Sequence, residues 1–585
     1  MSARSGDVRT ERPKLAAKTR ANAWMALIAL TAVALWHVTV VVTSDGVGVL
    51  DVAITLGGLL RAVLGLLPGA GSGSPLDLGP GTRTASVATV VTVWLLLLGA
   101  LLGGAVALVM WRHRRLVARR GQDGLAGAQA LRNRLQGPKG LAAGVQLAPF
   151  AIYGGKPMRA RAEDTGVMIA PPRQGKSAYL AVGQVVDAPA AVVATSTKVE
   201  LVRTCAHARS RRGRVWVFDP EGVSLWPERT HWDLVAGCQA VKVARDRADA
   251  MVAARPLDGG GRNVFFTEAA STVLRCLLHA AALGDFTMRE VLRWARNFDD
   301  DTPYNILGKH PDAAPGWLED LRKFCRGDAR ETVSSTDMSL SLVLGSLADP
   351  AVVAMVCPPP ETDEGAVVFD PATFVTSTDA LFLLSEGGKS GAAPLLTALV
   401  EAVVRAGKTA SQHLASGRLD PPVTFVLDEV ANVAPIPELP ALMSDGGGRG
   451  LAVWAFAQDY AQLENRYGSE GARTIWSAAS IKMLLGGSAN DTFLESVSRL
   501  IGDQHVRRSS QQYTDAADLP NYSLSTERER KLSVSDLREL AEGNALLLYR
   551  DQPGAVVDLV PWWKRKDAAA LREGQQWALT REGIA

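Results

Sequence analysis

Seven short apolar runs between residues 165 and 487 restrict what most of this chain can fold into. The runs are nearly continuous rather than alternating with polar residues, and segments of helical periodicity separate them. Parallel strands that helices cover on both faces have this composition, because neither face meets water. We therefore predict an α/β fold with a parallel sheet and crossover helices. The runs are TGVMIA (165–170), AAVVAT (190–195), RVWVFD (214–219), DALFLLS (379–385), VTFVLDE (423–429), LAVWAFAQ (451–458) and IKMLLGG (481–487).

A phosphate-binding motif follows the first of these runs. The segment 170–177 reads APPRQGKS, which is the pattern G-x-x-x-x-G-K-[ST] with Ala170 at the first glycine. A strand that ends in such a loop and continues into a helix presents backbone amides to phosphate oxygens. Lys176 is expected to reach the β- and γ-phosphates, and Ser177 to place its hydroxyl on Mg²⁺.

Two adjacent carboxylates end the strand-like segment VTFVLDE. In a P-loop nucleotide hydrolase, Asp428 would hold Mg²⁺ through water and Glu429 would polarise the attacking water. The alternative is that the two acids only form a favourable charge pair at the start of a helix. The motif upstream favours the first interpretation, with ATP and Mg²⁺ as the ligands.

The next strand and the segment before it add two candidates. Gln458 ends the run LAVWAFAQ, where its amide could sense the γ-phosphate or the attacking water. A glycine-rich segment, Asp445–Gly450, is predicted to be a flexible loop that presents Arg449 to a neighbouring subunit's ATP site. The alternative is a mobile loop with a solvated arginine.

The N-terminal region contains two long apolar segments, Ala21–Thr43 and Ala88–Met110, each long enough to cross a bilayer. Together they raise the mean hydropathy of the chain to +0.07. Arginines and lysines cluster before the first segment and after the second, and few lie between them. The positive-inside rule therefore predicts two transmembrane helices with both termini and the ATPase domain in the cytoplasm. A cleaved signal peptide fits the first segment poorly, because no small-residue cleavage site follows it.

The remaining composition excludes other classes of protein. The five cysteines lie far apart in the sequence and form no C-x-x-C pair, which predicts free buried thiols rather than disulfides or a zinc site. A formal net charge of +3 gives no sign of a nucleic-acid partner by itself. Any contact with DNA would depend on local charge.

The motifs, the apolar segments and a helical stretch without strands together predict nine regions. They are a cytoplasmic tail (1–20), a transmembrane helix (21–43), an extracytoplasmic loop (44–87), a second transmembrane helix (88–110), a stalk (111–162), the first part of a P-loop NTPase domain (163–261), an inserted all-α domain (262–365), the second part of the NTPase domain (366–560) and a C-terminal tail (561–585).

Four stretches of the sequence resemble type IV secretion coupling proteins, the TraG/TraD-like conjugative DNA-transfer ATPases. They are APPRQGKS (170–177), FDPEG (218–222), FVLDEVANVAPIPELP (425–440) and AFAQDYAQLENRYG (455–468). The resemblance implies a RecA-like motor domain, an inserted all-α domain, an anchor in the plasma membrane of a bacterium and a homohexamer. It also implies ATP-driven delivery of single-stranded DNA, with its attached relaxase, to the components of a type IV secretion channel.

The family's site residues carry over by motif match. The resemblance implies that five residues bind phosphate: Arg173, Gln174, Gly175, Lys176 and Ser177. It assigns Asp428 and Glu429 as the metal and water carboxylates, and Gln458 as the sensor. Family members often have Gly-Arg-Lys-x-Gly where this chain has Gly-Gly-Gly-Arg-Gly (446–450), so Arg449 stands two places later than the family's arginine.

Two other functions are compatible with the same motifs. One is an FtsK-like translocase of double-stranded DNA, although the C-terminal residues do not resemble the winged-helix module that such proteins usually carry. The other is a membrane receptor for secreted protein substrates that uses ATP only for assembly. The intact Asp428–Glu429 pair favours a hydrolysing motor over this receptor.

Overall fold

The computed structural model describes residues 34–41, 44–45, 83–84, 90–97, 99, 103–104, 125, 131, 134–135, 146–255, 261–359, 367–387, 391–512 and 521–584. The chain divides into two compact units, residues 1–121 and residues 122–585.

The N-terminal unit is described at a few places only. Strands β1 (Ser44–Asp45) and β2 (Arg83–Thr84) pair in antiparallel fashion, and residues 34–41 and 90–97 are helical. The rings of Trp36 and Trp94 meet edge to face, with centroids 6.0 Å apart. Most of the two predicted transmembrane segments, 21–43 and 88–110, lies outside the described residues. Among the residues that are described, no helix has both the length and the apolar character needed to cross a membrane.

The second unit is built on one large sheet. Its strands, with the two strands of a separate hairpin, are β3 (Pro149–Tyr153), β4 (Lys156–Arg159), β5 (Gly166–Ile169), β6 (Val192–Ser196), β7 (Val215–Phe218), β8 (Ala380–Leu384), β9 (Val423–Leu427), β10 (Leu451–Ala457), β11 (Ile481–Leu485), β12 (Asp503–Gln512), β13 (Asn521–Arg530), β14 (Asn544–Tyr549) and β15 (Ala555–Asp558).

The strand order in the sheet is β4-β3-β15-β14-β11-β5-β10-β9-β6-β8-β7. All neighbours from β11 to β7 are parallel, so each of the seven apolar runs forms a strand as predicted. The other four strands are antiparallel to their neighbours, which makes the sheet mixed rather than purely parallel.

The helices of this unit include those that cover both faces of the sheet and a group that packs mainly on other helices. They are α1 (Val182–Val186), α2 (Glu200–Ser210), α3 (Val241–Ala253), α4 (Gly261–Leu283), α5 (Met288–Arg296), α6 (Thr302–Lys309), α7 (Trp317–Arg326), α8 (Arg330–Val343), α9 (Pro350–Met355), α10 (Pro371–Phe374), α11 (Ala393–Gln412), α12 (Leu439–Arg449), α13 (Tyr460–Ala478), α14 (Asp491–Ile501), α15 (Val534–Arg538) and α16 (Ala568–Arg581).

The continuous apolar runs have a direct structural reason. Along β5, Val167 and Ile169 enter one hydrophobic core cluster while Met168 and Ala170 enter another. Successive side chains of a strand point to opposite faces, so two cores require apolar residues at every position. Every residue of β10 is buried for the same reason.

A block of helices separates two neighbouring strands. Strands β7 and β8 pair in parallel, and helices α3 to α10 lie between them in the sequence. The predicted all-α domain, 262–365, falls inside this block, which begins at Val241 and ends at Phe374. The five cysteines are free and buried, and burial raises the pKa of the Cys325 thiol to about 12.

The C-terminal residues are not a tail, although the sequence suggested one over 561–585. A short 3-10 turn, Trp562–Lys564, leads into α16, which packs along α2. The rings of His207 and Trp577 stack at 5.1 Å, Gln575 donates a hydrogen bond to the Thr204 hydroxyl, and Arg203 pairs with Glu582 at 2.6 Å. These contacts follow the two helices for most of their length.

Candidate nucleotide site

The predicted phosphate loop has the backbone that such a loop requires. It leaves β5 and enters a π-helical turn, Ser177–Ala181, that continues into α1. Arg173 and Gly175 have positive φ angles of 66° and 73°. A Cβ atom at position 175 would lie 2.6 Å from the Tyr179 ring, so glycine is needed there for space as well as for conformation. The start of a helix presents backbone N–H groups to an anion.

The strand order brings the predicted carboxylates to this loop. Strand β10 lies between β5 and β9, and all three are parallel, so their carboxyl ends share one side of the sheet. The Lys176 ammonium lies 3.2 Å from Asp428 Oδ1 and 3.1 Å from Glu429 Oε1. The Ser177 hydroxyl donates a hydrogen bond of 2.9 Å to Asp428 Oδ2. Lys176 and Ser177 therefore form one cluster with Asp428 and Glu429, which lie about 250 positions later in the sequence.

Asp428 is held in an environment that disfavours its charge. Its side chain is only 6% exposed, and burial raises the pKa of its carboxyl group, while Lys176 and the Ser177 hydroxyl lower it. Its Oδ1 atom is buried, and its ion-pair partner among the described residues is the Lys176 ammonium at 3.2 Å. A serine hydroxyl beside a buried carboxylate is the donor set that Mg²⁺ uses in nucleotide sites, so these residues fit the ion.

Glu429 is positioned by its backbone and by Gln458. Its φ angle of 51° lies in the left-handed region, which a glutamate rarely adopts. Such strain is commonly stored at functional sites, because the surrounding structure fixes the side chain. The Gln458 amide donates to Glu429 Oε1 at 2.8 Å. Gln458 therefore contacts the carboxylate predicted to polarise water.

Arg449 is the one predicted site residue that the structure places elsewhere. Asp445–Gly450 is not a flexible loop, since residues up to Arg449 form the last turns of α12. The Arg449 guanidinium pairs with Asp445 one helical turn earlier, at 2.5 Å. The residue precedes the amino end of β10, whereas Lys176 follows the carboxyl end of the neighbouring β5. Arg449 therefore cannot reach the phosphate loop of its own chain.

A cavity of about 570 Å³ surrounds the cluster and includes residues that the sequence did not indicate. Thr197 and Lys198 follow β6, which is the neighbour of β9 in the sheet. Trp562, Trp563 and Gln575 come from the C-terminal segment. The only sequence feature that could have pointed to Lys198 was its position after an apolar run. That position indicates a site residue only once the strand order is known. Nothing in the sequence linked the C-terminal residues to the site.

The α/β fold and the cluster have the arrangement expected of a P-loop nucleotide site. Residues 422–542 match the family described as the TraM recognition site of TraD and TraG. This match confirms the resemblance to type IV secretion coupling proteins. No match to a curated protein was found.

Solved structures of a conjugative coupling protein share the fold. The bacterial protein TrwBΔN70 in an unbound form aligns with a TM-score of 0.55 and 20% identity, over 74% of this chain and 92% of that chain. Plasmid coupling protein TrwB in complex with ADP and Mg²⁺ aligns with a TM-score of 0.54 and 19% identity, over 75% and 93%. The TrwB complex with the ATP analogue ADPNP gives 0.53 and 18%, over 75% and 93%.

Proposed function

We propose that this chain is a membrane-anchored ATPase that couples ATP hydrolysis to conjugative DNA transfer. The observation that carries the proposal is the cluster of Lys176, Ser177, Asp428, Glu429 and Gln458 at the carboxyl ends of three parallel strands. The match to the TraD and TraG family and the fold shared with TrwB support it. The cargo that we propose is single-stranded DNA with its attached relaxase, delivered to a type IV secretion channel.

The residues have separate tasks in hydrolysis. The loop amides and the Lys176 ammonium bind the phosphates, and Lys176 exchanges its present carboxylate partners for phosphate oxygens. Ser177 and Asp428 would hold Mg²⁺, which would supply positive charge to offset the negative charge of the phosphates. Glu429 accepts a proton from the attacking water, and the Gln458 amide keeps that carboxylate oriented. TrwB, which shares the fold, binds ADP with Mg²⁺ and the ATP analogue ADPNP.

The partners and the location are part of the same proposal. The matched family region, 422–542, supports a contact with relaxosome proteins, because its description is a TraM recognition site. It includes the hairpin β12–β13, which pairs only with itself among the described residues. The two apolar N-terminal segments and their flanking arginines support an anchor in the cell membrane with the ATPase in the cytoplasm. We propose a homohexamer, the state in which a neighbour's arginine can complete each site.

The test is ATP binding and hydrolysis by the full chain in detergent, together with transfer frequency in cells. We expect Glu429→Gln to bind ATP but to hydrolyse it at least about 100-fold more slowly, because a general base contributes about that factor or more. Lys176→Ala should weaken binding as well. Glu470→Gln, an exposed acid on α13, serves as the matched control and should behave as wild type.

The outcome also separates the proposal from the other two functions. Hydrolysis and transfer that persist in Lys176→Ala would refute the motor. Full transfer by Glu429→Gln would instead indicate a receptor that needs ATP only for assembly. Stimulation of hydrolysis by duplex DNA but not by single strands would indicate a double-stranded DNA translocase.

A further inference from the structure

The geometry points to a second part of the nucleotide site, in which Trp563 of the C-terminal segment is a stacking platform for the nucleobase. The inference rests on the proposed function, since it assumes that a nucleoside triphosphate binds at the phosphate loop. It adds a recognition element about 390 residues away in the sequence, which no motif indicates. The ligand class is a nucleoside triphosphate held at both ends, by its phosphates and by its base.

Trp563 has the exposure and the location of a ligand-binding aromatic residue. It is 43% exposed, although Trp is usually well buried. Its ring centroid lies 6.3 Å from that of Tyr179 and 5.8 Å from that of Trp562. Tyr179 is in the first turn after the phosphate loop, and both tryptophans line the cavity of the site. An aromatic surface thus borders the same cavity as the phosphate loop and remains open to solvent.

The cavity is lined by more than phosphate-binding residues. Besides the cluster around Lys176, its lining includes Ala178, Val182, Trp562, Trp563 and Gln575. The polar end near the loop suits a triphosphate, and the aromatic end suits a flat base with its ribose between the two. At that end the Gln575 amide nitrogen already donates to Thr204, which in turn donates to the Glu200 carbonyl. The polar groups that could form hydrogen bonds with the edge of the base are thus partly used already. The face of the Trp563 indole is therefore the main feature left to bind the base.

The platform is fixed with respect to the phosphate loop. Arg565 lies two residues after Trp563 and forms a two-pronged pair with Asp187, at 2.8 and 3.1 Å. Asp187 directly follows α1, the helix that continues from the loop. Arg565 also pairs with Asp567 at 2.8 Å. A platform held by a planar, two-pronged pair loses little conformational freedom on binding, which favours stacking.

Calorimetric titration of the full chain in detergent with Mg²⁺ tests the inference, with ATP and inorganic tripolyphosphate as the two probes. We expect Trp563→Leu to weaken ATP binding about tenfold, equivalent to about 1.4 kcal/mol, because leucine lacks a flat face for stacking. Its affinity for tripolyphosphate should not change. Trp563→Phe, which keeps an aromatic face, should stay within about threefold of wild type for ATP.

The outcomes distinguish this inference from the proposed function. Equal losses for ATP and tripolyphosphate in Trp563→Leu, or an unchanged affinity for ATP, would refute the platform, provided that the thermal midpoint matches that of wild type. Lys176→Ala is the reference variant and should lose both ligands. If Lys176→Ala binds ATP normally, the proposed function itself fails. If only the Trp563 result is negative, the phosphate site stands and the base-binding role is refuted.

Discussion

Single side chains next to the cluster fix its geometry as much as the cluster residues do. The buried Thr195 hydroxyl donates a hydrogen bond of 2.8 Å to the backbone carbonyl of Asp428. This bond ties the strand end that carries both carboxylates to β6. One strand over, Thr424 on β9 has a buried hydroxyl with no hydrogen-bond partner among the described residues. The Thr195 hydroxyl thus ties two adjacent strands together, whereas the Thr424 hydroxyl forms no hydrogen bond among the described residues. Replacing each threonine in turn measures what the hydrogen bond contributes.

We predict that Thr195→Val lowers kcat for ATP hydrolysis about threefold to tenfold, because a buried carbonyl loses its donor and the strand end shifts. KM should change little, since the phosphate loop remains intact. Thr424→Val is the matched control, and it should leave kcat unchanged and stability equal or higher. Steady-state kinetics and thermal midpoints provide both readouts. A larger effect of Thr424→Val would show that the positioning argument is wrong.

Glu401 on α11 is a buried acid outside the nucleotide site. It is 6% exposed, and burial raises the pKa of its carboxyl group to about 7, with the nearby Glu438 adding to the effect. Arg405 and Lys408 act in the opposite direction. In the unfolded chain a glutamate has a pKa of about 4.3, so the folded state binds the proton more tightly. Stability therefore falls as the pH rises from about 4.3 to 7, and the loss is complete above 7.

We predict that Glu401→Gln, which resembles the protonated acid, removes this loss. The variant should exceed wild type by only about 1 kcal/mol near pH 5 and by about 3–4 kcal/mol at pH 8. Thermal midpoints at pH 5, 6, 7 and 8 measure the difference directly. A difference that does not grow with pH would contradict a raised pKa at this position.

At the scale of elements, one arginine joins a helix to two strands. Arg209 on α2 is fully buried, and its guanidinium donates to the carbonyls of Ala188 and Ala190 at 2.8 Å and of Thr378 at 2.7 Å. These carbonyls lie just before β6 and β8. Burial lowers the pKa of Arg209 to about 10, so the group stays charged at neutral pH and remains a donor to all three.

Arg209→Met should lower the free energy of unfolding by about 3–5 kcal/mol, because the carbonyls of Ala190 and Thr378 lose the Arg209 guanidinium as donor and the Ala188 carbonyl keeps only Arg212. Arg209→Lys should recover only part of the loss, since an ammonium lacks the planar fork that reaches several carbonyls together. Arg211→Met, at an exposed position directly after the same helix, should change stability by less than about 0.5 kcal/mol. Denaturant titration gives all three values. Similar losses in the Arg209 and Arg211 variants would refute the specific role.

The elements that the sequence predicts well are those whose pattern reflects local burial. Strands β5 to β11 are apolar at nearly every position because both faces are covered, so their runs are visible without a structure. The end of α12 was predicted wrongly for a tertiary reason. A Cβ atom at Gly447 would lie 2.2 Å from the Glu163 carbonyl oxygen, so this glycine allows a helix to approach the chain before β5. A glycine that allows close packing and a glycine that allows flexibility look alike in a sequence.

The residues of the candidate site also divide into those that a local sequence pattern predicts and those that depend on tertiary packing. Lys176, Ser177, Asp428 and Glu429 were predictable because their chemistry requires a fixed order of residues around a strand end. Trp563 and Gln575 were not, since they reach the cavity through the packing of α16 on α2. That packing depends on scattered pairs such as Arg565 with Asp187, whose residues are 378 positions apart. No local pattern encodes a contact of that kind.

At the scale of the whole molecule, the sheet explains how distant motifs meet. Ser177 and Asp428 are 251 residues apart and share a hydrogen bond, because the helical block from α3 to α10 leaves and re-enters between adjacent strands. The same topology leaves Arg449 at the amino ends of the strands, away from its own phosphate loop. Its side chain pairs with Asp445 and is 33% exposed, so it is accessible from outside the chain, as the proposed role in trans requires.

A mixing experiment tests whether Arg449 acts in trans within the proposed hexamer. Arg449→Ala alone should lose most hydrolysis, and Lys176→Ala alone should lose it as well. In a 1:1 mixture, an intact phosphate loop faces an intact Arg449 at about a quarter of the interfaces, so about a quarter of wild-type activity should return. Activity should depend on the mixing ratio and peak near equal amounts, because both defects must be complemented at one interface. Asp445→Ala, which removes only the intrahelical partner, should keep full activity. No recovery at any ratio, with both variants assembling as wild type does, would refute a trans-acting arginine at this position.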